Sequence, residues 1–184
     1  MISVSIYKVR DYFDSPTYGT SLSNCFDLSF QPTEDTVKGY DKYNNPISQY
    51  VKTQGISIYS GDRLLIPTGL VFKIEQSTTT YPDYPDYDEI TPLQNYSIRL
   101  HSRSGLSLER GLVLVNSEGI IDVDYQEEVF VLLTNISSVD QVLKKGDRIA
   151  QAEVVCNVPV HLVVLTKKPE KHSERAGGFG STGV

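Results

Sequence analysis

Cysteine is scarce in this chain. Its two residues, Cys25 and Cys156, stand far apart with no C-x-x-C pair, so the sequence offers neither a disulfide framework nor the ligand spacing of a zinc site. Long apolar runs are missing as well, and no stretch approaches the roughly 20 residues that a membrane-spanning helix needs. The opening Met1 to Arg10 alternates like a strand and has neither a long apolar core nor a small-residue cleavage site, so secretion is not expected. No long basic run is present and the formal charge is -6. Polymeric nucleic acid is therefore not an expected partner, whereas a nucleotide, whose few charges local donors and a metal ion can meet, is allowed. Helical periodicity is almost absent, apart from a turn or two near Ser104 to Arg110.

What remains is a soluble-type composition, 39% hydrophobic and 22% charged over 184 residues, long enough for one domain with a sizeable core. Short apolar runs recur at Leu64 to Ile66, Leu70 to Ile74, Val113 to Val115, Val129 to Leu133 and Val160 to Leu165. Between them stand Ser60-Gly61-Asp62, Pro67-Thr68-Gly69, Asn116 to Gly119, Lys145-Gly146-Asp147 and Asn157 to Pro159, residues that supply positive φ, fixed φ or local side-chain turns. That rhythm predicts an all-β sandwich or barrel.

Two stretches break it. Residues 31–59 contain G-Y-D-K-Y-N-N-P, and residues 77–92 carry Y-P-D twice with acids at Asp83, Asp86, Asp88 and Glu89. Both read as surface insertions, the second as a solvated acidic loop, with a metal site or a protein partner as the sharper alternatives. From Lys167 the chain becomes a charged linker and then G-G-F-G-S-T-G, which cannot form a packed element alone and is expected to be a mobile tail that needs something to close upon.

Four constellations carry potential chemistry. In H-S-R-S-G-L, His101 to Leu106, Arg103 offers a fork of donors, Ser104 a hydroxyl, and Gly105 a close backbone approach where a short helix begins, which together suit a phosphate. A surface turn would use the same residues. In V-N-S-E-G-I-I-D-V-D-Y, Val115 to Tyr125, turn residues between apolar strands predict a hairpin. Alternation puts Asp122 and Asp124 on one face and Ile121, Val123 and Tyr125 on the other. Such a hairpin can read a base edge while a carboxylate activates water, or it can be a solvated strand pair. In K-K-G-D-R-I-A-Q, Lys144 to Gln151, Gly146-Asp147 turns the chain and Arg148 and Gln151 are polar groups at a strand's start, which a plain β-turn explains equally well. In E-R-A-G-G-F-G-S-T-G, Glu174 to Gly183, glycine backbone, Ser181, Thr182 and Arg175 suit phosphate and Phe179 can stack on a base, or the string is a disordered tail.

With P-T-Y-G-T-S-L-S-N-C-F-D-L at Pro16 to Leu28 placed before them, these strings resemble, in order and spacing, the five motifs of the trimeric dUTPase family. Leu64 to Leu70 resembles that family's strand before the second motif. The resemblance implies a jelly-roll-like β-barrel over residues 1–166, with a C-terminal tail, 167–184, that closes over an active site built from three subunits of a homotrimer. It implies hydrolysis of dUTP to dUMP and pyrophosphate with Mg2+. Asp27 would hold the metal through water, and Arg103, Ser104 and Gly105 would seat phosphates. Asn116, Gly119 and Ile121 of the hairpin would bind uracil, largely through backbone, with Asn116 six residues before Asp122 as in the family. Asp122 would orient the attacking water, and Tyr125 would pack under the deoxyribose where a 2'-hydroxyl would clash. Gln151 would sit near the phosphates with Arg148 bracing the site. Arg175, Ser181 and Thr182 would grip the γ-phosphate while Phe179, followed by Gly180, covers the base. Only Ala176 separates Arg175 from Gly177, one residue less than is common in the family. The implied location is cytoplasmic, or the host cytoplasm or nucleus for a viral chain.

A dCTP deaminase of the same fold is disfavoured, because Gly119-Ile120 and Leu132 stand where that family carries H-R and a catalytic glutamate. A regulatory or protein-binding trimer that uses the insertions is the reading from a different class.

Overall fold

The computed structural model describes residues 2–76 and 93–170. The acidic loop at 77–92 and the glycine-rich end of the tail lie outside them. In chain order the elements are β1 (Ile2–Lys8), β2 (Thr17–Tyr18), β3 (Phe26–Ser29), β4 (Thr36–Tyr40), β5 (Pro46–Tyr50), β6 (Ile56–Ile58), β7 (Arg63–Pro67) and β8 (Leu70–Gln76). They continue as β9 (Tyr96–His101), α1 (Ser104–Arg110), β10 (Leu112–Leu114), β11 (Glu118–Asp122), β12 (Phe130–Asn135), β13 (Gln141–Leu143) and β14 (Arg148–Cys156). One five-stranded sheet runs β10-β12-β7-β4-β5 and a second runs β11-β9-β14-β3-β2, with the pairs β1-β8 and β13-β6 beside them. This is the all-β architecture that the turn-punctuated apolar runs predict, in the jelly-roll-like form that the family resemblance implies.

Alternation decides which side chains enter the space between the sheets. Phe26 and Leu28 of β3, Leu64 and Ile66 of β7, Ile98 and Leu100 of β9, and Val131 and Leu133 of β12 are buried, while Asp27 and Leu65 point the other way. Each fully buried aliphatic side chain contributes about 1.5–3 kcal/mol, so the inward face fixes register: a slip of one residue would turn Asp27 into the core. Asn135, fully buried at the end of β12, donates to the Ile58 and Val139 carbonyls and accepts from Ser137. Its amide is thus satisfied, as a buried polar group must be.

The helical turn expected near Ser104 to Arg110 is α1 itself. Arg103 precedes it in extended conformation, and Gly111 ends it at φ 62°, donating its N–H to the Leu106 and Ser107 carbonyls. A Cβ on Gly111 would lie 2.8 Å from the Ser137 Cβ, so both conformation and space call for glycine here.

Three expectations need correction. Residues 31–59 are not simply a surface insertion: β4 and β5 form a hairpin that extends the first sheet through β4-β7 pairing, and Val37, Ile56 and Ile58 join the core. Turn-rich composition belongs only to the tip, where the Asp41 carboxylate accepts from the Tyr43 and Asn45 N–H groups. Second, the strands around Asn116 do not pair with each other. β10 pairs with β12 and β11 with β9, so the turn carries the chain from one sheet to the other. Third, Val160 to Leu165 is not a strand: it has no partner among the described residues and leaves Val160, Leu162, Val163, Val164 and Leu165 exposed. No helix among the described residues is long and apolar enough to cross a membrane.

Candidate active site

The second sheet turns a polar face outward, and one cross-strand row on it runs Thr17, Asp27, Gln151, His101, Glu118 through all five strands. Asp27 sits in β3 between the buried Phe26 and Leu28, which forces its carboxylate to the outside. There its Oδ1 accepts from Arg103 Nε at 2.8 Å and its Oδ2 from an Arg148 terminal nitrogen at 2.9 Å. Arg103 also donates to the Arg148 carbonyl. Charge-assisted bonds of this kind are roughly twice as strong as neutral ones, and Asp27 is the better shielded partner, with 14% of its side chain exposed against 55% for Arg148.

A cleft of about 400 Å³ opens over this clamp, lined by Arg103, Ser104, Gly105, Arg148 and Gln151 on one side and by the turn Gly19 to Cys25 on the other. The first helical hydrogen bond of α1 runs from Ser107 N to Arg103 O, which leaves the N–H groups of Ser104, Gly105 and Leu106 without helical acceptors. A Cβ on Gly105 would meet nothing within 4 Å, so that backbone is open to a ligand. Gln151 donates to the Ser102 carbonyl, and the Ser102 hydroxyl accepts from Leu114 N, tying β14, the α1 approach and β10 together. Burial first, then the nearby Glu153 and Asp27 charges, push the Cys25 thiol above its ordinary pKa, so it stays the neutral, unreactive form.

Six of the residues singled out from sequence therefore meet in one place: Asp27, Arg103, Ser104, Gly105, Arg148 and Gln151. Asn116, Gly119, Ile121, Asp122 and Tyr125 do not join them. Asp122 lies opposite Ser97 while the Asp27 row crosses β11 at Glu118, which separates the two acids by about 13 Å along the strand and about 14 Å across three strand spacings. Gly119 is buried with the Leu100 side chain 3.0 Å from where a Cβ would be, and Ile121 packs on the core. Only their backbone can meet a ligand. Among the described residues β11 is an edge strand of its sheet, and an edge strand offers the backbone donors and acceptors of its outer side for that purpose. The Asn116 turn is tight, with Ser117 at φ 61°. Alternation puts Asp122 and Asp124 outside and Ile121 and Val123 half-buried, but β11 ends at Asp122 and Tyr125 does not share the inward face. Instead Tyr125 caps a turn, donating its N–H to Asp122 O and its hydroxyl to Glu128 O. Arg175, Phe179, Gly180, Ser181 and Thr182 lie outside the described residues.

Sequence reasoning missed Gly19, Ser23 and Asn24 on the cleft wall, although they stand inside the quoted Pro16 to Leu28 string. It also missed Ser102 and the bridge from His101 to Glu153 at 3.1 Å. Among the described residues no three His, Cys, Asp or Glu side chains gather to hold a metal ion. A hexahydrate-like cation does not need such a cage: the Asp27 oxygens keep lone pairs beyond those used by the two arginines and can accept from metal-bound water.

The dUTPase family profile matches residues 64–183. A Caulobacter vibrioides protein named deoxyuridine 5'-triphosphate nucleotidohydrolase is 36% identical over 129 residues, which cover 70% of this chain and 71% of that one. Staphylococcus bacteriophage 80alpha dUTPase, solved with dUPNHPP, superposes with a TM-score of 0.64 at 19% identity, covering 99% of both chains. A mutant dUTPase from phage phi11 of S. aureus, described with a structural Mg(II) ion, gives 0.59 at 14% identity over 90% of this chain and 97% of that one. The two phage structures speak for the fold, and the profile match together with the bacterial relative settles the lineage: the chain belongs to the dUTPase family.

Proposed function

We propose that this chain is a dUTP diphosphatase that hydrolyses dUTP to dUMP and pyrophosphate as a homotrimer with Mg2+. The observation that carries the reading is the clamp of Asp27 between Arg103 and Arg148, set in a polar cleft beside the open Gly105 backbone. Two guanidinium groups and N–H groups without helical acceptors suit a phosphate chain, and a carboxylate among them suits the hydrated cation that accompanies it. Bound there through water on Asp27, Mg2+ would neutralise charge on the phosphate oxygens.

Asp122 orients a water for in-line attack on the α-phosphorus and takes its proton. The bond to the bridging oxygen breaks, and pyrophosphate leaves. Arg103, with Gln151 and the first backbone N–H groups of α1, offsets charge on the oxygens, while Arg148 braces Asp27. Asn116 and the free edge of β11, at Gly119 and Ile121, pair with uracil. Tyr125 packs under the deoxyribose. The separation of Asp122 from Asp27 within one chain favours a site shared between subunits, with Asp122 facing the Asp27 clamp of a neighbour. Residues 1–166 form the barrel domain and 167–184 the closing tail, where Arg175, Ser181 and Thr182 take the γ-phosphate and Phe179, with Gly180, covers the base.

The deciding experiment is pyrophosphate release from dUTP with Mg2+, with dCTP and dTTP as controls. Turnover of dUTP alone is expected. Equal turnover of dCTP or dTTP, or none of dUTP, overturns the reading. Light scattering at the trimer mass tests the assembly.

A further inference from the structure

Tyr125 is held at both ends of a short loop. Its backbone N–H donates to Asp122 O at 3.1 Å and its hydroxyl donates to Glu128 O at 2.9 Å. The ring therefore has one fixed setting only if Glu128 itself is fixed. The Glu128 carboxylate is half-buried and bridges two other segments: Oε1 accepts from Gly69 N at 2.8 Å, in the turn between β7 and β8, and Oε2 accepts from the Thr33 hydroxyl at 3.1 Å. The platform beneath it is stiff. Gly69 sits at φ 68° with the Phe13 ring where a Cβ would be, the Thr68 hydroxyl donates to Val129 O at 2.6 Å, and Val129 N donates to Leu70 O.

We infer that Glu128 is a positioning residue for sugar selectivity, fixing the loop that aims the Tyr125 ring and thereby excluding a ribose 2'-hydroxyl. This rests on the proposed role of Tyr125 in dUTP binding. Glu128 touches no substrate. A carboxylate serves here because one planar group accepts from a backbone N–H and a hydroxyl at once. A simple structural brace would lower stability or overall turnover without changing which sugar is accepted. A brace that aims the ring changes the ratio of kcat/KM for dUTP over UTP, because only UTP gains when the ring can move aside.

The test compares Glu128→Ala, Glu128→Gln and Tyr125→Phe with the unchanged trimer, measuring kcat/KM for dUTP and UTP together with Tm. Glu128→Ala is expected to lower the dUTP-over-UTP ratio by about tenfold, while Glu128→Gln, whose amide can accept from Gly69 and donate to Thr33, stays within about threefold. Tyr125→Phe, which keeps the ring but frees it from Glu128 O, should fall in the same direction as Glu128→Ala. If Glu128→Ala does not fold, Tyr125→Phe and Thr33→Val carry the same expectation. A folded Glu128→Ala or Tyr125→Phe enzyme with an unchanged ratio overturns the inference while leaving the dUTPase reading intact. An unchanged protein that does not turn over dUTP overturns both.

Discussion

Arg148 reaches Asp27 across 121 positions of sequence, 2.9 Å from guanidinium to carboxylate. The contact exists because β14 pairs with β3 and places Gln151 opposite Asp27. The arginine is more than half exposed, so the pair adds little to stability, on the order of 0–1 kcal/mol. Its consequence is geometric: it holds one wall of the cleft at the carboxylate.

Arg148→Ala should therefore separate stability from activity. Tm is expected to stay within a few degrees while kcat/KM for dUTP falls by about tenfold or more, the penalty for a loosened phosphate seat. A large loss of Tm with turnover of the remaining folded protein unchanged would make Arg148 a structural brace only.

Asp122→Asn should keep the fold and nucleotide binding and lose turnover by about 10²–10⁴-fold, because an amide cannot take the proton of the attacking water. Single-turnover rates alongside equilibrium binding of a non-hydrolysable dUTP analogue check both halves.

Mixing Asp122→Asn subunits with Arg103→Ala subunits should restore part of the activity that neither has alone, because Asp122 stands on the edge strand β11 and Asp27 three strands away on β3, so that the two would meet only between chains. Absence of restoration in trimers shown to have exchanged would place both groups in one subunit.

Asp62 is buried with its Oδ2 lacking a hydrogen-bond partner among the described residues. Desolvation chiefly, reinforced by Asp41 and Asp140, raises its pKa above the ordinary aspartate value. A carboxyl raised by folding contributes stability below its unfolded pKa and loses it as pH rises through the folded one. Asp62→Asn, which cannot ionise, should therefore gain Tm relative to the unchanged protein as pH is raised from about 4 through the carboxylate range toward neutrality. A Tm difference that does not vary with pH would contradict the assignment.

Gly111→Ala should cost about 1–3 kcal/mol, since φ of 62° and the nearby Ser137 both oppose a side chain. Chemical denaturation measures it. Loss of activity at temperatures where the variant is still folded would add that the end of α1 sets the position of Arg103.

Where the sequence was legible, a local rule sufficed. The apolar runs Leu64 to Ile66, Leu70 to Ile74 and Val129 to Leu133 mark β7, β8 and β12, and Gly61, Gly69 and Gly146 stand at turns with positive φ. The residues that line the cleft, Asp27, Arg103, Ser104, Gly105, Arg148 and Gln151, were legible as a group because each stands within a compact string whose order along the chain is characteristic. Partners separated by most of the chain were not. Nothing local tells Arg148 that it will face Asp27, or Glu128 that it will meet Gly69 and Thr33. Strand pairing was equally hidden at Asn116, where a tight turn between apolar segments has the same residues whether it joins neighbours in one sheet or crosses to another. Val160 to Leu165 shows the converse: apolar, β-branched composition states a capacity for a strand, and a strand forms only where an edge is offered.

That exposed segment, Val158 to Leu165, leaves Leu162 at 88% and Val164 at 94% of full exposure. A lone subunit thus carries a greasy ribbon that water disfavours, and in the proposed trimer its neighbours are the natural cover. Stability then ceases to be a property of the single molecule and follows mass action, so the midpoint of thermal unfolding should climb with protein concentration. Dilution becomes a denaturant for such a protein.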